Sequence, residues 1–540
     1  MRRSLVRSAR QALVNSQNTR WSAVGALGAR RSSTDSGHKW SGHKWSTPLA
    51  RQLAEAITTT GPLPVASFMR QVLTSDLGGY YTGALSSDRD QFGARGDFVT
   101  SPEISQIFGE LIGVWIVAEW IAQGRKSEGV YLMEVGPGRG TLMSDMLRTI
   151  RNFPHLAKAV EAVYLIEASV TLRKAQHELL CGDNPTTETK AGWESISRHS
   201  PDLKIVWTED HKFVPRDASK TPFIIAHEFF DALPIHIFQS TFIQPNEQKQ
   251  IQTPTGPIQT KQKTQEGHQW RELLVSPKPP HRLKSGEPEF ELSMSKTATP
   301  HSMYLPETSP RYAALKTTDG ATVEVSPESQ TYTRDMAIRI GGSNPEEIAA
   351  HQQQATKSKT AIPGRQVSQA PRETPLNKPS PSGAALIIDY GPPDRVPANS
   401  LRGIRQHKIV SPFDEPGATD VSADVDFLGL AETAIDSSPG VEVHGPVDQA
   451  RFLTAMGIEE RAAQLVKKAL DDERAGKGGN DKAELTETVK RIESGWKRLT
   501  DVSPQGMGRL YQVMAIVPYS PPAPGQQQRR PVGFGGDVQA

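Results

Sequence analysis

Val130-Tyr131-Leu132-Met133-Glu134-Val135-Gly136-Pro137-Gly138-Arg139-Gly140-Thr141 decides the fold. An apolar run of strand character enters a turn with three alternating glycines, and a helix-like stretch from Thr141 to Ile150 follows. Glycine has no Cβ, so its backbone approaches a ligand closely, and the free N–H groups of the next helix attract a negatively charged group. The unit therefore predicts a small-molecule cofactor at the end of the first strand of an open α/β sheet.

Spacing narrows the cofactor. A dinucleotide turn, G-x-G-x-x-G, needs glycine three residues beyond Gly138, where Thr141 stands, and the phosphate loop ending in Gly-Lys-Ser/Thr is missing. The remaining pattern, Glu134-x-Gly136-x-Gly138-x-Gly140, resembles motif I of S-adenosylmethionine-dependent methyltransferases. That cofactor carries a carboxylate and no phosphate, so a glycine turn and a helix N-terminus suffice. Alone, the turn also fits a flavin or nicotinamide fold. A second candidate strand, Ala162 to Ile166, ends in Glu167, where a doubly wound sheet places an acid that accepts both ribose hydroxyls of an adenosine ligand. The competing reading of Glu167 is a loop carboxylate or a cap for the helix that begins near Ser169.

Further apolar runs, Lys204 to Trp207, Phe223 to Ala226 and Ala385 to Ile388, alternate with helical segments as in a parallel α/β domain, and Leu510 to Val517 reads as a late strand. Residues 48–125 read as an N-terminal helical cap, with Thr100 or Ser101 capping its second helix and Glu103 returning a hydrogen bond. The aromatic, turn-rich loop with Tyr80-Tyr81 and Gly96-Asp97-Phe98 is placed to fold over a cofactor. The core then spans residues 126–243 and 383–517, the latter including C-terminal helices. The intervening 244–382 is rich in Gln, Thr, Pro and Lys and reads as a largely low-complexity insertion with ordered patches at 270–275 and 321–340. Residues 518–540 have the Pro, Gln and Gly bias of a disordered tail.

The strand Phe223 to Ala226 runs into His227-Glu228-Phe229-Phe230-Asp231-Ala232-Leu233-Pro234. Glu228 and Asp231, three apart at a strand end, are candidate catalytic acids. An arginine acceptor has a pKa above about 12 and parallel N–H donors that carboxylates grip bidentately, so two acids hold it and one receives the proton lost on methylation. The alternative leaves Asp231 as a helix cap and Glu228 solvated.

At 540 residues, 36% hydrophobic and with 41 prolines, the chain suggests about two folded units diluted by flexible stretches. Its longest apolar run outside the strands, Leu111 to Trp120, is too short to cross a bilayer. A single cysteine, Cys181, excludes a disulfide framework and any Cys-based zinc site, and no closely spaced histidines or acids suggest another metal site. Residues 1–34 hold seven arginines and no acid, the composition of a mitochondrial transit peptide, followed by a leader at 35–47 with a tandem Ser-Gly-His-Lys-Trp repeat. The seven arginines of residues 1–34 supply +7 of a net charge of +2, so the remainder carries −5 and a nucleic-acid partner is disfavoured.

These segments together resemble the mitochondrial complex I assembly methyltransferases of the MidA type, a family of protein arginine methyltransferases. The likeness rests on Gly96 through Glu110, Glu134 to Leu142, His227 to Pro234, Asp389-Tyr390-Gly391, Asp414 to Asp420, Val425-Asp426-Phe427 and Met507-Gly508, within residues 48–517. It implies a class I (Rossmann-like) methyltransferase sheet of seven strands, and S-adenosyl-L-methionine held by Glu134, Gly136, Gly138, Gly140 and Glu167. It also implies that Thr100, Ser101 and Gln106 close over the cofactor and that Glu228 and Asp231 face the acceptor. The implied reaction is symmetric dimethylation of an arginine on a core subunit of NADH dehydrogenase (complex I) in the mitochondrion, with the matrix as the expected compartment. Phe413 departs from the family's usual leucine, and the long interruption departs from its compact pattern. Two other readings stay open: a catalytically silent assembly chaperone on the same fold, and a dinucleotide-dependent oxidoreductase.

Overall fold

The computed structural model describes residues 43–82, 99–244, 250–253, 256–259, 267–359, 374–475, 482–522, 525 and 527–536. The expected transit peptide, most of the leader and the Gly96-Asp97-Phe98 segment lie outside these. A small separate unit, residues 1–44 with Pro279–Leu283, contributes among the described residues one 3-10 turn, Pro280–Arg282.

The larger unit is built on a nine-stranded sheet. Its middle consists of five parallel strands in the order Ala384–Tyr390, Thr221–His227, Val130–Val135, Val160–Ile166 and Ser200–Thr208. Tyr511–Pro518 pairs antiparallel with Ala384–Tyr390, and Val441–Asp448 pairs antiparallel with Tyr511–Pro518. Trp193–Ser197 and Thr187–Glu188 extend the other edge. Leaving out these two edge strands, the order by position in the chain is 3-2-1-4-5-7-6. The topological reversal between the first and fourth strands puts the glycine turn and the Glu228 turn side by side, where open α/β sheets bind ligands.

The central strands read as continuous apolar runs because both faces are covered. On one face Leu132, Val163, Phe223, Ile225 and Leu386 pack against helix Gln106–Ala122, helix Thr141–Ile150 and the C-terminal helices. On the other, Met133, Ile224, Ala226 and Ile387 pack against helices Pro327–Gly341 and Phe427–Ser437. Each such buried aliphatic side chain contributes about 1.5–3 kcal/mol relative to exposure. Among the described residues, no helix is long and apolar enough to cross a membrane.

Three expectations change. First, the interruption 244–382 is a wall of the domain over much of its length. Its strands Gly267–Pro277, Phe290–Met294 and Thr322–Val325 join His236–Ile243 in a second, antiparallel sheet, and Pro327–Gly341 covers the main one. Polar outward residues on half-exposed strands dilute its composition and hide the pattern. The cap helices Pro48–Thr60 and Val65–Thr74 pack with this second sheet through Leu53, Phe68, Ile237, Val275 and Phe290. Phe413 joins the same cluster, its ring 5.4 Å from that of Phe68.

Second, the described part of the tail is anchored: Phe534 is buried in the main core, 5.7 Å from the Phe452 ring, and Val532 bridges to Gly536. One aromatic fixes a segment that Pro, Gln and Gly otherwise dominate. Third, the helix of the Leu111–Trp120 run is capped by Ser105, whose hydroxyl accepts from the Ile107 amide, while Thr100 precedes a separate single turn, Ser101–Ile104, without a side-chain cap bond. The extended backbone of Ser105 (φ −156°, ψ 129°) divides the segment into two helices.

Candidate active site

A cavity of about 270 Å³ opens at the strand ends. Gly136 and Gly138 of the glycine turn line its floor, while Gly140 lies behind them against Gln176. Gly136, Gly138 and Gly140 have φ of 66°, 52° and 83°, a left-handed region open to glycine and costly for other residues. A Cβ at Gly136 would lie 2.7 Å from Phe229 Cδ2, so the first and fourth strand ends can close together only with glycine here. Gly140 is the N-cap of Thr141–Ile150 and directs that helix's amide end towards the turn.

Glu167 lines the cavity at the end of the second strand. Its Oε1 accepts from the Ser169 amide at 2.7 Å, and its Oε2 from Gln176 Nε2 at 3.2 Å. Gln176 also donates to the Gly138 carbonyl at 2.6 Å and accepts from Trp207 Nε1 at 2.9 Å, locking turn to acid. Burial raises the Glu167 pKa to about 7, opposed by these donors. Glu134 also lines the cavity. It is buried, its Oε2 has no hydrogen-bond partner among the described residues, and desolvation pushes its pKa to about 8. A buried, unpaired carboxylate oxygen beside a glycine turn fits the cationic amino-acid end of S-adenosylmethionine.

Opposite stands the Glu228 turn. Glu228 itself has φ of 49°, strained for a residue with a Cβ. Asp389, at the end of the neighbouring strand, holds this turn: its Oδ2 accepts from the amides of Phe229, Phe230 and Asp231 at 3.1, 2.8 and 3.3 Å. Glu228 lines the cavity. Burial, then Asp231, raise its pKa to about 8, opposed by the Tyr511 hydroxyl and the Ser101 amide. The Tyr511 hydroxyl bonds in turn to that of Tyr390. His227 also lines the cavity; its Nε2 lies 3.3 Å from Glu228 Oε1 without hydrogen-bond alignment, and desolvation lowers its pKa to about 3, so the ring is neutral.

Not every expected residue meets the cavity. Thr100 lines it, as do Tyr81, Glu103 and Arg139, with Arg139 Nε 3.7 Å from Glu103 Oε1. Ser101 reaches Glu228 instead, and Gln106 turns along its own helix to Glu110 at 3.5 Å. Asp231 is buried just behind the wall. Desolvation raises its pKa to about 6, against the pull of Arg402. Arg402 is held by Asp424 at 2.6 Å and lies 5.4 Å over the Tyr390 ring. Sequence reading missed the roles of Asp389, Tyr390, Tyr511 and Gln176, and it missed Tyr332. The last comes from the interruption's helix and lines the cavity, its ring 4.9 Å from Phe229.

A Rossmann-like sheet ordered 3-2-1-4-5-7-6, a glycine turn without the third dinucleotide glycine, and acids on both sides of one cavity define a class I methyltransferase using S-adenosylmethionine. Residues 111–447 match the family model described as "Putative S-adenosyl-L-methionine-dependent methyltransferase". The protein is 32% identical over 91% of its length, and 89% of the relative's, to the mitochondrial protein arginine methyltransferase NDUFAF7 of Rattus norvegicus. It is 34% identical to that of Danio rerio, over 77% of this chain and 78% of the relative. The fold matches a crystal structure from Burkholderia thailandensis bound to S-adenosyl-homocysteine with a TM-score of 0.54 at 20% identity, over 87% of this chain and 92% of that one. The chain belongs to this family of S-adenosyl-L-methionine-dependent methyltransferases, together with the NDUFAF7 proteins. Membership removes the oxidoreductase reading.

Proposed function

We propose that the protein methylates arginine side chains of a protein substrate, with Glu228 as the acid that meets the guanidinium and Asp231 as its buried support. The observation that carries this reading is the Asp389-held turn, which presents Glu228 to the cofactor cavity in a strained backbone conformation. The bound sulfonium supplies an electrophilic methyl group. Glu134 and Glu167 hold the cofactor's cationic and ribose ends, with Gly136, Gly138 and Gly140 allowing close approach and Thr100 over it. An incoming guanidinium lowers the Glu228 pKa by opposite charge, so the carboxylate forms where it is needed. As the C–N bond forms and the methyl–sulfur bond breaks to leave a neutral thioether, the guanidinium loses one proton, which passes to Glu228, and Tyr511 keeps that carboxylate oriented.

The family likeness extends the proposal to symmetric dimethylation of an arginine on a core subunit of NADH dehydrogenase during complex I assembly. The relatives are named mitochondrial. The acid-free, arginine-rich residues 1–34 support import, and the matrix is the proposed compartment. Mass spectrometry of complex I core subunits from cells carrying Glu228→Gln tests the reading. Loss of one symmetric dimethylarginine is expected; unchanged methylation would overturn it in favour of a scaffold.

A further inference from the structure

The antiparallel second sheet carries a side-chain cluster that methyl transfer does not use. His236 opens the strand His236–Ile243, Glu272 sits in Gly267–Pro277, and His301 lies in the short helix Pro300–Tyr304. One ligand atom from each lies within 4.8 Å of the others. His236 Nδ1 is 2.8 Å and His301 Nδ1 3.6 Å from the same oxygen, Glu272 Oε1. Neighbouring ligands of a tetrahedral ion with bonds of about 2.1 Å stand about 3.4 Å apart, so the two spacings straddle that edge.

The surroundings match a ligand set as well. The Glu272 side chain is only 1% exposed, and its other oxygen accepts from the Thr299 hydroxyl at 2.5 Å. Thr299 also caps the helix that carries His301, its hydroxyl accepting from the Ser302 amide at 3.1 Å. One threonine thus orients both the carboxylate and the second imidazole, as outer-shell groups do around bound metals. The His236 ring is stacked on Phe238, 6.1 Å away. The His301 side chain is about half exposed (49%), which leaves water access to a fourth position.

We propose that His236, Glu272 and His301 bind one divalent cation of the zinc class, with water as fourth ligand, and so clamp helix Pro300–Tyr304 to the second sheet. Two imidazoles and one carboxylate favour Zn²⁺ over Mg²⁺ or Ca²⁺, which prefer all-oxygen shells.

The test uses the full chain, stripped with chelator and titrated with Co²⁺. One equivalent is expected to give a visible tetrahedral absorption band, displaced by Zn²⁺, and Zn²⁺ is expected to raise the melting temperature. His301→Ala, at an exposed position, is expected to abolish the band and the thermal shift while S-adenosylmethionine affinity is unchanged. Should the alanine variant be unstable, His301→Gln keeps a polar side chain beside Glu272 without an imidazole and reads the same outcome. Absence of stoichiometric binding, or equal binding by the His301 variant, overturns the site.

Discussion

The Asp389 carboxylate accepts the Phe230 amide at 2.8 Å, tying the end of one central strand to the turn that follows its neighbour. The same oxygen takes the two flanking amides, so a single side chain satisfies three backbone donors that form no strand bonds. Asp389 is fully buried, and burial together with Asp231 and Glu228 raises its pKa against the pull of those amides.

Asp389→Ala should therefore act on geometry before chemistry. Leaving three buried amides unpaired costs about 1–3 kcal/mol per group, so a stability loss of at least about 3 kcal/mol is expected in denaturant titration. With the Glu228 turn released, kcat should fall steeply while the S-adenosylmethionine dissociation constant changes little. Equal damage to both would show that Asp389 supports the whole cavity and not the turn.

For Glu228→Gln, removing a proton acceptor should cost about 10²–10⁴-fold in kcat. In the native enzyme, activity should rise with pH between about 6 and 8, as Asp231 and then Glu228 ionise. Asp231 raises the Glu228 pKa, so Asp231→Asn should shift the remaining acid limb to lower pH. A limb that stays in place under that substitution argues against the coupling.

Glu134 gives a stability prediction of opposite sign to the usual carboxylate. Its folded pKa, about 8, lies above the ordinary glutamate value of about 4.5, so between these the folded state holds the extra proton. Stability falls as pH rises through that window, by up to about 1.4 kcal/mol per pH unit from this group. Glu134→Gln should accordingly stabilise the cofactor-free protein at pH 8 and not at pH 4.5, measured as melting temperature. A constant difference across pH would show that Glu134 is ionised throughout.

Phe534→Ala tests the anchored tail. Removing a buried aromatic from the main core should cost about 3 kcal/mol, whereas an unanchored segment would give no change in chemical denaturation.

The central strands were legible because burial on both faces leaves no polar alternation, and the cofactor turn because three glycines at alternate positions have a steric reason. The place of Glu167 at the cavity was legible from its position after a strand. Asp389 was not assigned a role, since a carboxylate that binds three amides looks in sequence like any acid after a strand. Tyr332 was hidden because its helix lies in a segment of polar composition. His236, Glu272 and His301 come from three separate elements, so no local spacing draws them together. Gln106 was misplaced because its helical turn points it along the helix to Glu110.

Tyr332 has a further consequence. The same pocket is bounded by Leu73 and Tyr81 early in the chain and by Tyr332 well past its middle. The chamber therefore draws its walls from distant parts of the chain, and excising the whole of 244–382 to make a smaller catalyst would strip Tyr332 from one side of it.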